Sequence, residues 1–208
     1  MDFLEKLCSF LHITKEDYQA LTLPPSIDHL PSYQQFSDMD KVVDLILESI
    51  QNKEKIFIYG DYDCDGIMSA SILVKAFEKM GIKVGYYIPS RYKDGYGLNV
   101  DKVLLAHEKG YQMIITVDNG VCQFEAIQKA KDLGMKVIVT DHHALPEERV
   151  MADYILHPLY SHYGDVVCCG AYVAFMLSWA LLKEVDPYLL DLAAIATISD
   201  MMELKDYN

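Results

Sequence analysis

KIFIYGDYDCDG, residues 55–66, sets a short apolar run directly against three aspartates spaced two apart, Asp61, Asp63 and Asp65. An apolar and aromatic run of this length, stopped by glycine and aspartate, reads as a buried strand rather than a helix. The juxtaposition recurs downstream. IITV is followed by Asp118-Asn119-Gly120, and VIVT by Asp141-His142-His143. Between these runs lie longer amphipathic stretches, the alternation that builds a parallel sheet with helical crossovers. Strands are predicted at 55–60, 83–88, 112–117, 136–140 and 153–156. Helices are predicted at 67–80, 99–109 and 122–133, ending near Gly81, Gly110 and Gly134, where a left-handed cap favours glycine. The fold class is therefore α/β, a mainly parallel five-stranded sheet flanked by helices. In such sheets ligands bind beyond the carboxyl ends of the strands, so the three acidic loops should meet in one crevice.

Outward from this block the texture is helical. Asp2 to His12 and Asp40 to Gln51 repeat apolar residues at helical spacing, with a proline-containing connection around Leu23 to Ser32, and the last fifty residues predict helices at 169–184 and 187–198. This gives a helical N-terminal extension, residues 1–52, and a catalytic-type domain, residues 53–208. Half of the 208 residues are hydrophobic, enough to bury a core. No apolar run suits a bilayer span and the N-terminus lacks a signal-peptide pattern, which places the protein in the cytoplasm, away from membranes. The five cysteines, at 8, 64, 122, 168 and 169, are odd in number and lack the two-residue gap of thiolate zinc sites, so reduced thiols are expected. A formal charge of −13 argues against a nucleic-acid coat. Two divalent cations among the aspartates would restore four positive charges where a phosphate would sit.

One aspartate at a strand end is often a helix cap or a turn residue. Five carboxylates in three converging loops would repel one another and resist ionisation unless cations neutralised them. An oxygen-rich set with imidazole and no sulfur suits Mn2+ or Mg2+, and one or two ions fit a phosphoester-cleaving centre. One imidazole of the His pair can ligate a metal while Asp141 orients a ring through its second nitrogen, and the other histidine is then free to meet the phosphate. Two rival readings fall short. An EF-hand loop needs glutamate where Ile72 stands and a helix, not a strand, before it. An aspartyl-phosphate nucleophile loop at Asp63-Cys64-Asp65-Gly66 leaves Asp118, His142 and His143 without a task.

The ordered motifs GDYDCDG, TVDNG, TDHH and TISDMMEL closely resemble the DHH phosphoesterase family, and within it the RecJ branch of single-strand-specific exonucleases. The segments 91–98 and 169–175 agree with that branch. The resemblance implies that Asp65, Asp118, His142 and Asp200 hold one metal, that Asp61, Asp63 and Asp118 hold or approach a second, and that Asp118 bridges them. It implies that His143 meets the scissile phosphate, with His142 and Asp118 also in the catalytic group, and that Arg91 and Tyr96 contact the strand. Cousins that cleave smaller nucleotides place a histidine where this chain has Tyr59, which favours the RecJ branch. The activity implied is 5′-to-3′ hydrolysis of single-stranded DNA in repair and recombination, with a single-strand-binding protein or helicase as partner. RNA oligomers or cyclic dinucleotides, and a non-catalytic replication scaffold, are the alternatives. His157 and His162 read as loop histidines able to reach nucleic acid. Such proteins continue into a second domain that closes the cleft, so this chain is expected to be an N-terminal part of a longer one.

Overall fold

The computed structural model describes residues 2–22, 26–27, 30–161 and 168–204, which fall into two compact units, 1–30 and 31–208. The first contains α1 (Phe3–Leu11) and α2 (Lys15–Thr22). Helix α1 starts at a reciprocal cap: Asp2 accepts from the Glu5 amide while Glu5 accepts from the Asp2 amide. Helix α2, which the apolar pattern does not predict, is nucleated in the same way by Thr14 and Asp17. The predicted connection at 23–32 lies partly outside the described residues.

The second unit runs α3 (Met39–Gln51), β1 (Lys55–Tyr59), α4 (Cys64–Lys79), β2 (Gly85–Tyr87), α5 (Val100–Glu108), β3 (Tyr111–Val117), α6 (Phe124–Asp132), β4 (Lys136–Thr140), β5 (Tyr154–Leu156), α7 (Gly170–Leu182) and α8 (Pro187–Ser199). The predicted boundary at 52/53 falls inside this unit. Helix α3 buries Val42, Val43 and Ile46 and packs on β1, β5 and α7. All five strands are parallel, in the order β2-β1-β3-β4-β5. The order reverses between β1 and β3, and the crevice beyond their carboxyl ends is the place such folds use for ligands.

Side chains alternate across the sheet. Tyr59, Ile114, Val137, Val139 and Ile155 join Val103, Ala106, Ile127 and Ala130 of α5 and α6 in one buried cluster. Ile56, Ile58, Met113, Ile115 and Ile138 point the other way and are equally buried. There α3, α4 and α7 pack on the sheet. Helix α7 is apolar on every side and buried along nearly its whole length, as a central core helix must be. Among the described residues no helix is long and apolar enough to cross a membrane.

Candidate metal centre

Strand register brings the acidic loops level. Tyr59 pairs with Thr116, and Val117 pairs with Thr140. Carried past the strand ends, the same register aligns Asp61, Asp118 and Asp141. The ladder itself continues there, since the Gly60 amide donates to Tyr87, Asp118 to Thr140 and Asp141 to Leu156. Asp118 has a left-handed backbone, φ 60°, rare outside glycine and best tolerated by Asn and Asp. That turn lets the chain leave β3 at once and keeps its carboxylate at the crevice.

Helix α4 begins at Cys64, three residues before its predicted start, so Asp63 is its N-cap and accepts from the Gly66 amide at 2.9 Å. Asp65 then lies in the first turn, buried, and accepts from the Gly170 and Ala171 amides at 2.7 Å each. The carboxylate of α4 thereby holds the N-terminus of α7. Both glycines of these turns are sterically required. A Cβ on Gly66 would lie 2.6 Å from the Asp61 backbone, and one on Gly170 would lie 2.6 Å from Asp118 Oδ1.

His142 Nε2 stands 3.2 Å from Asp118 Oδ1, 3.4 Å from Asp65 Oδ2 and 3.6 Å from Asp200 Oδ2. Asp200 reaches it as the C-terminal cap of α8. Three sets of side chains have donor atoms within 4.8 Å of one another: Asp65, His142 and Asp200; Asp61, Asp63 and Asp118; and Asp118, His142 and His143. Asp118 is in two of them. Asp141 lies outside these sets. Its Oδ1 accepts from the His142 and His143 amides and from His143 Nδ1 at 2.7 Å, and its Oδ2 accepts from the Val121 amide.

The electrostatics divide the carboxylates in two. Burial, reinforced by Asp65, Asp63 and Asp141, pushes the Asp118 carboxyl up to about 11. Burial also raises Asp61, with Asp63 adding to it against the Tyr62 amide, and raises Asp200 against the pull of His142. For Asp141 burial works the same way, but the His143 ring and the Val121 amide outweigh it and hold the carboxyl below its ordinary value. The same contact raises His143 above the usual imidazole value, against burial. Both oxygens of Asp118 and Oδ1 of Asp61 are buried and accept no hydrogen bond. Buried carboxylate oxygens without donors are costly. A hard divalent cation among oxygen and imidazole donors is the partner whose chemistry fits them.

Beside His143 a cavity of about 370 Å³ is lined by Tyr96, Val121, Cys122, Gln123, Asp141, His143 and Ala144. The Tyr96 hydroxyl is 3.2 Å from the His143 ring, and the exposed Arg91 guanidinium lies 4.5 Å over the Tyr62 ring, within the acidic loop. His157 corrects the sequence reading. It is fully buried, its Nε2 donates to the His143 carbonyl and its Nδ1 accepts from the Leu159 amide, so it supports the site from beneath instead of facing solvent. His162 lies outside the described residues. Asn119 was not singled out by its sequence, yet it is fully buried beneath the crevice. Its position between Asp118 and Gly120 was the available signal, but an Asp-Asn-Gly string reads first as a turn.

The sequence matches the DHH family, N-terminal domain, over residues 55–197. It is 42% identical over 172 residues to the single-stranded-DNA-specific exonuclease RecJ of Bacillus subtilis, covering 82% of this chain and 22% of that protein. The RecJ of Haemophilus influenzae is 35% identical over 223 residues, which cover 99% of this chain and 38% of that protein. The chain thus spans well under half the length of these curated relatives. Among solved structures, an exonuclease RecJ bound to manganese superposes with a TM-score of 0.79 at 30% identity, covering 89% of this chain and 47% of that one. RecJ in complex with Mn2+ from Thermus thermophilus gives 0.74 at 28%, covering 88% and 26%.

Proposed function

The chain belongs to the DHH family, and from that premise we propose that it carries the metal-binding part of a nuclease that hydrolyses single-stranded DNA from its 5′ end, with roles in repair and recombination. The observation that carries the reading is the Asp118 carboxylate, buried with both oxygens lacking donors between two sets of acidic and imidazole ligands. Mn2+ or Mg2+ would be held by Asp65, Asp118, His142 and Asp200, and a second ion by Asp61, Asp63 and Asp118. Bound there, the cations supply charge neutralisation, polarisation of the phosphate and a lowered pKa for a nearby water.

The side chains do the rest. Asp141 holds His143 through Nδ1, which fixes the ring and favours its protonated form. The other nitrogen is then an N–H donor for an anionic phosphate oxygen, strengthened in a site shielded from bulk water. Arg91 offers a bidentate cation to a neighbouring phosphate, and Tyr96 offers an aromatic face and a hydroxyl beside His143. Preference for DNA, the 5′ polarity, and a single-strand-binding protein or helicase as partner rest on the RecJ relatives.

The test is digestion of 5′-labelled single-stranded DNA, RNA oligomers and dinucleotides with Mn2+, by the chain and by its Asp118→Ala form. Release of 5′ mononucleotides from DNA that vanishes in the variant supports the proposal. Equal or faster turnover of dinucleotides moves the substrate to small nucleotides. Manganese binding without turnover of any of them makes the chain a scaffold.

A further inference from the structure

We infer that Tyr59 and Asn119 are positioning residues that lock the strand-binding loop, residues 90–98, onto the sheet edge at the metal centre. The inference rests on the proposal that Arg91 and Tyr96 contact the nucleic acid. Tyr59 is the last residue of β1 and wholly buried, and its hydroxyl donates to the Gly97 carbonyl at 3.1 Å. The ring is stacked with Tyr87, 5.7 Å between centroids, so it cannot turn toward the aspartates without dismantling that pair. Asn119, equally buried, uses every polar atom it has. Its Nδ2 donates to the Val117 carbonyl at 2.9 Å and the Tyr59 carbonyl at 3.3 Å, and its Oδ1 accepts from the Leu98 amide at 3.2 Å. The ends of β1 and β3 and the far end of the loop are thus joined through one amide.

The opposite end of the loop is tied separately. Asp94 accepts from the Ser90 amide and the Tyr87 hydroxyl at 2.8 Å each and pairs with Lys102 at 2.9 Å, while Asn99 Nδ2 donates to the Asp94 carbonyl at 3.2 Å. Between the two anchorages Gly95 and Gly97 adopt left-handed backbones, φ 76° and 72°. A Cβ on Gly97 would strike the Gln123 side chain at 2.3 Å. The backbone from Asp94 to Leu98 thus runs between two fixed ends, and it places the Tyr96 hydroxyl 3.2 Å from the His143 ring. A loop fixed beforehand avoids the ordering cost that binding would otherwise carry. The side-chain hydrogen bonds of Tyr59 and Asn119 go to Gly97, Leu98 and the ends of β1 and β3 and to no carboxylate or imidazole of the metal-binding sets, so their loss should loosen the loop and leave the metal ligands in place.

The experiment compares the chain with Tyr59→Phe, which removes one hydroxyl from an otherwise intact core ring. Three quantities are read: the trypsin cleavage rate after Arg91 and Lys93, Mn2+ affinity by calorimetry, and kcat and KM on single-stranded DNA. The expected result is cleavage at least fivefold faster at those two sites, Mn2+ affinity within twofold, and KM raised about tenfold with kcat within threefold. Unchanged cleavage overturns the inference, as does a large fall in Mn2+ affinity, which would make Tyr59 part of the metal centre. If neither protein cuts DNA the functional proposal fails, and the cleavage and calorimetric arms still decide whether the anchor exists. Asn119→Ser, read by the same three measurements, is expected to give the same pattern, and should it unfold the chain the Tyr59→Phe variant carries the decision alone, because its packing is preserved.

Discussion

Asp118 shows how far a single residue can be set against the fold that contains it. Burial and the neighbouring carboxylates raise its carboxyl to about 11, so the folded metal-free protein retains a proton that the unfolded chain gives up near pH 4. The sign follows. Stability is fully present below about pH 4 and declines as pH climbs through the interval up to about 11. Asp118→Asn should remove that decline, because the amide is neutral and asparagine tolerates the left-handed backbone. In EDTA at pH 8 the variant should melt about 4–8 °C higher, equivalent to about 2 kcal/mol, and its melting temperature should vary less with pH than the parent's. An equal or lower melting temperature would show that Asp118 is not strained. The same proton must leave when a cation enters. Calorimetry of Mn2+ binding in buffers of different ionisation enthalpy should therefore register close to one proton released per first ion, and none in the variant. Asp61, Asp118 and Asp141 stood out in the sequence because each stands at the end of an apolar strand, whereas Asp200, at the end of the apolar helix α8, entered only through the family resemblance. Asn119 and Tyr59 were not, since their partners Leu98 and Gly97 lie 21 and 38 residues away. His157 was misread because nothing local says that the turn after β5 runs inward.

Among the elements, helix α7 depends on a side chain from another helix. Its N-cap, Cys169, makes no side-chain cap hydrogen bond, and the Asp65 carboxylate of α4 takes the amides of Gly170 and Ala171 instead. Two hydrogen bonds to a charged acceptor are worth more than two neutral ones. Asp65→Ala should thus destabilise the metal-free protein by about 2 kcal/mol. Denaturant unfolding in EDTA measures it, and a stabilised Asp65→Ala would mean that repulsion outweighs the cap. The opposite signs expected at Asp65 and Asp118 separate structural from strained carboxylates in one cluster. Gly170→Ala acts at the same junction: with Cβ 2.6 Å from Asp118 Oδ1, it should weaken Mn2+ binding by at least tenfold in calorimetry. Strands β1, β3 and β4 were legible almost to the residue because each is an apolar run between turn signals. Helix α4 began earlier than predicted because Asp63 caps it, a role that competes with metal binding in the sequence pattern. Helix α3 was legible from the apolar repeat at Asp40 to Gln51, but that its stripe packs on β1, β5 and α7 was not. Helix α2 was missed because it has few apolar residues and owes its start to Thr14 and Asp17.

For the whole molecule the formal charge of −13 was plain from composition, whereas the placement of its few cations was not. Lys102 is held by Asp94 and the Tyr87 hydroxyl, and Lys136 is engaged by Glu54. On the loop at 90–98, Arg91 and Lys93 are exposed and available to phosphate. Each phosphate neutralised on a single strand contributes about −0.7 to the slope of log affinity against log salt. Two such contacts give a slope of about −1.4, shallow for a nucleic-acid-binding protein. Binding of a phosphorothioate oligothymidine, followed by fluorescence anisotropy with Mn2+ across a sodium chloride series, measures it directly. In EDTA the same titration should show no binding, because without cations the strand would meet a field of carboxylates. A slope steeper than about −4 would require a basic surface that Arg91 and Lys93 cannot supply. Arg91→Ala should flatten the slope by about 0.7, since a side chain that touches a phosphate takes its counterion with it. An unchanged slope would instead assign Arg91 to the Tyr62 ring on which it rests.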